Sequence, residues 1–302
     1  MMEQNLQHIP VMANQVLELL KPLPGQHFLD CTVGGGGHAR MILERTAPYG
    51  KLYGIDRDPY ALGRAREALS SFGDRVELFH GEYSGLQNVI SRQILSSLHG
   101  ALIDCGVSSF QLDAHDRGFS FRFDAPLDMR MNSSSDMSAK AFLSHIDEDE
   151  LADVIYELGG ERNSRKIAKN IVHLRGQKKL NTTFDLVEAV MKSFPPRHYW
   201  KIHPETKTFQ AIRMKVNEEL DEIERGISSL LSGLQIGSKI VVITFHSLED
   251  RLVKLAFRKA LKENRVKLLN KKPLAPTREE TLGNPRARSA KVRGVEIISH
   301  EE

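Results

Sequence analysis

The sequence predicts an α/β fold, a mostly parallel sheet with helices on both faces, split by a helical insertion. Three observations carry that expectation. Short apolar runs alternate with helix-period segments up to Val107, the order that builds parallel sheets. From 113 to 205 the chain shows no strand-like run, and its periodic segments, from Ile146 onward, are helical. After 205 a helix, a very apolar run and a second helix restore the first pattern.

The elements follow in order. His27–Val33 is a short apolar run that ends in a glycine cluster, and His38–Thr46 reads as a helix. Lys51–Ile55 is a second strand, followed by helical periodicity over Asp58–Leu69. Val76–Phe79 is a third strand, Leu86–Leu98 a helix and Gly100–Val107 a fourth strand. Residues 113–140 are rich in Asp, Arg, Ser, Met and Phe, with little periodicity. Ile146–Leu158, Ser164–Leu174 and Phe184–Lys192 read as helices, with Asn181 or Thr182 as a cap and Pro195-Pro196 as a stop. A helix over Thr206–Leu231, a strand over Lys239–Phe245 and a helix over Leu248–Lys262 come next. Residues 264–290 read as an irregular basic loop, and Val292–Ile298 as a last strand. The expected domains are therefore 1–112 with 206–302, discontinuous, and an insertion over 113–205.

At 302 residues, 40% hydrophobic and 27% charged, the chain has a globular profile and enough length to bury a core without staples. It contains no run of about eighteen apolar residues, so no membrane span is expected. Met1–Pro10 lacks the basic and apolar regions of a secretory signal. Cys31 and Cys105 form no CxxC and read as small buried apolar residues of a reduced, cytoplasmic protein. No metal-ligand constellation stands out. The stretch from Arg251 onward carries fourteen Lys and Arg against six acids, a net +8, which leaves −5 for the first 250 residues against a total of +3. That asymmetry suits either a polyanion partner or a solvated surface.

The sharpest motif is Asp30-Cys31-Thr32-Val33-Gly34-Gly35-Gly36-Gly37-His38, directly after the first strand. Four glycines have no good place inside a helix or strand, but at a strand-to-helix turn they let backbone pass close to a ligand. Gly34, Gly36 and Ala39 also satisfy the dinucleotide fingerprint, which keeps a nicotinamide-dependent oxidoreductase in view. Asp30 favours S-adenosylmethionine: a carboxylate there holds an ammonium group and repels a pyrophosphate. Asp56 ends the second strand and can accept from both ribose hydroxyls of either cofactor. Tyr83, after the third strand, is either a face for adenine or a core residue. Asp104 ends the fourth strand. Ligands of such sheets bind at the carboxyl ends of the strands, so Asp30, Asp56, Tyr83 and Asp104 converge on one crevice.

With later stretches these residues closely resemble the bacterial 16S ribosomal RNA cytosine-N4 methyltransferase family (RsmH, also called MraW). The matching segments run from His8-Ile9-Pro10-Val11 to Asn284-Pro285-Arg286-Ala287-Arg288. Among them are Arg117-Gly118-Phe119-Ser120-Phe121, Pro126-Leu127-Asp128-Met129-Arg130-Met131, Thr208-Phe209-Gln210-Ala211-Ile212-Arg213 and Phe245-His246-Ser247-Leu248-Glu249-Asp250-Arg251. The resemblance implies a Rossmann-like, S-adenosyl-L-methionine-dependent methyltransferase sheet with a helical substrate-recognition insertion. It implies small-subunit 16S ribosomal RNA as substrate. It places the cofactor on Gly36, Gly37, His38, Asp56, Tyr83, Asp104 and Gln111. Cys105 and Phe110 stand where the family usually has Leu and Pro, and Tyr83 replaces a usual Phe.

The chain lacks the Asp/Asn-Pro-Pro-aromatic segment of many amino-methyltransferases, so no catalytic base is assigned. The Gly106–Gln111 turn and His246 are expected to face the target base, with a cap or core role as the alternative for His246. Arg213 contacts either phosphate or an internal carboxylate. Arg286 and Arg288, with Lys291 and Arg293, are candidates for a phosphate clamp. Phe119, Phe121 and Phe123 alternate as core residues or as a stacking surface. A ribosome-assembly factor that binds RNA without catalysis is the third reading.

Overall fold

The computed structural model describes residues 10–195 and 203–300. His8, Ile9 and Pro196, named above, lie outside the described residues. The chain divides into two compact units, Met1–Gly106 with Leu220–Glu302, and Val107–Glu219.

The first unit holds a seven-stranded sheet: β1 (Phe28–Asp30), β2 (Leu52–Asp56), β3 (Val76–His80), β4 (Gly100–Asp104), β5 (Lys239–Thr244), β6 (Val266–Leu268) and β7 (Lys291–Ile297). Their order is β3-β2-β1-β4-β5-β7-β6. The first five strands are parallel, and β7 runs antiparallel between β5 and β6. Strand order reverses between β1 and β4, the switch point at which doubly wound sheets open a crevice. This is the Rossmann-like sheet expected from the sequence.

The central strands are apolar throughout because both faces are covered. Successive side chains point to opposite faces. Leu29, Ile55, Ala101, Ile103 and Val242 enter one core with helices Glu219–Gly233 and Ser247–Lys262. Phe28, Leu52, Leu102, Val241 and Ile243 enter another with helices Ala13–Leu20, Gly37–Arg45 and Pro59–Leu69. Cys31 is buried, and Cys105 packs partly buried against the first of these cores.

The second unit is helical. Helices Ala139–His145, Glu148–Gly159, Ser164–Gly176, Thr183–Met191 and Pro204–Val216 surround a core that includes Leu143, Ile155, Ile171, Leu186, Phe209 and Ile212. Its pairing between extended segments, among the described residues, is the single bridge Pro126–Thr182. The Pro126–Met131 loop is stitched by Asn217, whose side chain accepts from the Met131 amide at 2.7 Å and donates to the Met129 carbonyl at 2.7 Å. Thr182 caps its helix through a reciprocal pair with Asp185.

Several elements differ from the sequence expectation. The helix expected over 206–231 is two helices, broken at Asn217-Glu218, where Glu218 takes φ +47°. The 86–98 helix is two single turns separated by extended Ile90, with Ser91 capping the second. Ile146 is extended and separates Ala139–His145 from Glu148–Gly159. The basic stretch 264–290 contains β6, a helix over Arg278–Gly283 and a 3-10 turn over Pro285–Ser289. The unit boundaries lie at 106/107 and 219/220, six residues before and fourteen residues after the 112/113 and 205/206 expected from sequence. Helix Pro204–Val216 sends Phe209 and Ile212 into the second unit's core, which accounts for the later boundary.

Candidate active site

The sheet brings three carboxylates to the ends of adjacent strands. Asp30 closes β1, Asp56 closes β2 and Asp104 closes β4, with β1 in register between the other two. The chain between β1 and helix Gly37–Arg45 is tied to both neighbouring strands. The Cys31 amide donates to the Leu102 carbonyl at 2.9 Å, and the Val33 amide donates to the Ile55 carbonyl at 2.9 Å. The Asp104 amide donates to the Thr32 hydroxyl at 2.7 Å. Thr32 is a positioning residue that the motif did not single out, because only the β1–β4 pairing reveals its partner.

The glycine loop is held against the sheet by Asp56. One oxygen of that carboxylate accepts from the Gly34 amide at 2.9 Å, and the other accepts from the Asp58 amide at 2.9 Å. Gly34 and Gly36 take φ +52° and +82°, where a side chain would be strained. A Cβ on Gly37 would come within 2.8 Å of Pro10. The loop thus leads backbone tightly into a helix whose first amides lack intrahelical partners. His38, in the first turn, is buried, with Nε2 2.9 Å from the Val11 carbonyl oxygen and Nδ1 3.8 Å from Asp104.

Burial pushes all three carboxyls up. Asp30 rises to about 7: desolvation dominates, the Thr32 amide opposes it, and the charges of Asp104 and Asp56 add to it. Asp104 rises to about 7, again through desolvation, against a hydrogen bond from the Gly106 amide. Asp56 rises to about 6, desolvation outweighing its two backbone donors. Crowded, poorly solvated carboxyls of this kind favour a ligand that brings positive charge and hydroxyl donors.

The other residues proposed from the sequence have diverse placements. Tyr83 is buried in the core of the first unit, its ring against Gly226, where an added Cβ would lie 2.2 Å away. Tyr83 thus packs as a core residue in this structure. Gln111 is buried in the second unit, where Ser108 and Gln111 satisfy one another's backbone amides at the start of helix Ser109–Asp113. His246 is the N-cap of helix Ser247–Lys262: its Nδ1 accepts from the Glu249 amide at 3.4 Å, while Glu249 accepts from the Phe245 and His246 amides. His246 thus caps this helix.

Arg213 makes a bidentate pair with Glu219, at 2.7 and 2.8 Å, which is its internal-carboxylate alternative. Lys291 and Arg293 both bind Asp250, so two of the four clamp cations are already engaged. Burial alone would raise Asp250, but the hydrogen bonds from Arg293 and Lys291 overcome it and hold the carboxyl below its usual range. Arg286 and Arg288 are exposed on the turn Pro285–Ser289. Phe119 is buried, Phe121 meets Phe209 edge-on at 5.6 Å, and exposed Phe123 stacks on His115 at 3.7 Å.

Among the described residues no helix is long and apolar enough to cross a membrane. The MraW methylase family pattern matches residues 5–298. The chain is 44% identical to the ribosomal RNA small subunit methyltransferase H of Trichlorobacter lovleyi, over 98% of this chain and 99% of that one. It is 45% identical to the protein of the same name from Syntrophotalea carbinolica, over 98% and 99%. The Geobacter sulfurreducens protein of that name is 46% identical, over 96% and 99%. These matches set aside the nicotinamide-dependent reading. The crowded carboxyls at the strand ends, the glycine turn that joins them and these full-length similarities lead to one statement: the chain belongs to the MraW methylase family.

Proposed function

We propose that this protein transfers a methyl group from S-adenosyl-L-methionine to the exocyclic N4 of a cytidine in small-subunit 16S ribosomal RNA. The observation that carries the reading is the meeting of Asp30, Asp56 and Asp104 beside the Gly34–Gly37 turn. Bound there, the cofactor supplies a methyl already activated on a sulfonium sulfur. Asp30, ionised, holds the methionine ammonium. Asp56 keeps one lone pair per oxygen after accepting its two amides, enough to receive ribose hydroxyls. Asp104, when ionised, would add negative charge to the crevice that holds the cationic cofactor.

The main catalytic task of the chain is alignment. Orienting two reacting groups is worth roughly 7–11 kcal/mol in good intramolecular models. A base inside a duplex cannot enter such a crevice, so the cytidine is single-stranded or unstacked when it reacts. The helical unit takes part in RNA recognition, and exposed Arg286 and Arg288 contribute phosphate contacts. The protein works in the cytoplasm on RNA in the small subunit.

Transfer of tritium from labelled cofactor to small subunits that lack the modification, followed by nucleoside analysis, tests the reading. Label in N4-methylcytidine supports it; label elsewhere, or none, rejects it.

A further inference from the structure

The basic tail holds a cleft that the crevice chemistry does not use. Helix Ser247–Lys262 begins just after β5, at the carboxyl end of the strands, where Asp104 pairs with Ile243. It carries Arg251, Lys254, Arg258 and Lys262 at spacings of three, four and four residues, one stripe of a helix. At about 1.5 Å per residue, Lys254 and Arg258 stand roughly 10 and 17 Å along the axis from its start. Between this helix and the antiparallel pair of β6 and β7 lies a cleft lined by Lys254, Phe257, Arg258, Leu268, Lys271 and Arg293.

No acidic residue lines the cleft among the described residues. The neighbouring acids are already paired: Asp250 with Lys291 and with Arg293 of the cleft wall, Glu296 with Lys267, and Glu263 with Arg265. Among the described residues, Lys254, Arg258 and Lys271 therefore gather without a carboxylate partner, beside buried Phe257 and half-buried Leu268. Like charges held together cost stability. Asn270, beside them, is committed to backbone: it accepts from the Gly294 amide and donates to the Lys272 and Val292 carbonyls, which fixes the loop bearing Lys271.

We propose that the Lys254–Arg258–Lys271 cleft binds backbone phosphates of the substrate RNA, so that the RNA strand leaves the carboxyl end of β5 and follows this helix. The proposal rests on the RNA reading above and moves the principal clamp from Lys291 and Arg293, which Asp250 engages, to these three cations.

The test compares Lys254→Glu/Arg258→Glu/Lys271→Glu with a control of equal charge change, Arg45→Glu/Lys51→Glu/Arg66→Glu. The probe is unmodified small-subunit ribosomal RNA, bound across a salt series, with cofactor binding followed by calorimetry. The cleft variant should lose about 2 from the slope of log affinity against log salt, at about 0.7 per single-strand phosphate contact. It should bind at least tenfold more weakly at low salt and keep its cofactor affinity, whereas the control keeps its slope. An unchanged slope, or an equal loss in the control, overturns the proposal and leaves the RNA reading standing. A wild-type protein that neither binds nor methylates this RNA defeats both. Should the triple variant misfold, Lys254→Gln and Lys271→Gln singly should each lose about 0.7 of slope, and no loss in either is equally decisive.

Discussion

The Asp56 carboxylate accepts the Gly34 amide at 2.9 Å, which fastens the glycine turn to the end of β2. One side chain thus serves two purposes: it sets the turn's position and it faces the nucleoside. Asp56→Ala should leave the Gly34 and Asp58 amides without their acceptor. Loss of these hydrogen bonds is expected to cost about 1–3 kcal/mol of stability. Cofactor Kd should rise at least about tenfold, the equivalent of one 1.4 kcal/mol contact. Chemical denaturation and calorimetry measure the two effects, and wild-type values for both would contradict this role.

The pH dependence has a defined sign. Asp30 and Asp104 rise to about 7 and Asp56 to about 6 in the folded protein. Their contribution to the stability of the unliganded protein is full below about pH 4, the unfolded carboxylate range, and is lost as pH rises through about 6 to 7. A cationic ligand reverses the preference, because it needs the ionised carboxylates. Affinity for S-adenosyl-L-methionine should therefore climb between about pH 6 and 8, with release of protons on binding. Calorimetry in two buffers of different ionisation enthalpy reads that release; a flat affinity with no proton exchange would refute it.

Arg213 and Glu219 form a pair in which the glutamate side chain is only 4% exposed and the arginine 15%. Arg213→Ala would leave Glu219 buried without its bidentate partner, at a cost of about 3 kcal/mol. Arg213→Lys should recover part of it, since an ammonium cannot reproduce the fork. Urea denaturation gives the stability. A primary role in phosphate binding predicts instead an unaltered midpoint with a weaker salt dependence of RNA affinity.

Gly226 lies in a helix interior, where alanine would ordinarily stabilise by about 1 kcal/mol. Here the added methyl would sit 2.2 Å from the Tyr83 ring. Overpacking of this kind costs about 1–3 kcal/mol, so Gly226→Ala should lower the midpoint of thermal unfolding. A rise would mean that the Tyr83 ring is free to move out of the core.

The strand-end carboxylates were legible in the sequence because each depends on local chain: an apolar run, its last residue and the turn that follows. Asp30, Asp56 and Asp104 all stand where that pattern put them. The fate of Tyr83 was not legible, since it turns on Gly226, distant in sequence. Lys291 and Arg293 read as available cations because their partner, Asp250, comes from a helix that only the folded sheet brings near. The break at Asn217-Glu218 escaped periodicity because apolar spacing continues through it, while one left-handed residue ends the helix. Conversely, the cap of helix Thr183–Met191 is Thr182, one of the two residues that the sequence offered, because that cap is complete within four residues.

The pairing of β4 with β5 has a consequence for biosynthesis. Residues 105–238 separate the two strands, so at cellular translation rates the ribosome needs on the order of ten seconds to deliver the second after the first. Throughout that interval Gly100–Asp104 is an open, apolar strand edge, the kind of template on which nascent chains misassociate. Chaperone dependence during synthesis should therefore concentrate on the window that closes when Lys239–Thr244 emerges, and shortening the intervening segment should narrow it.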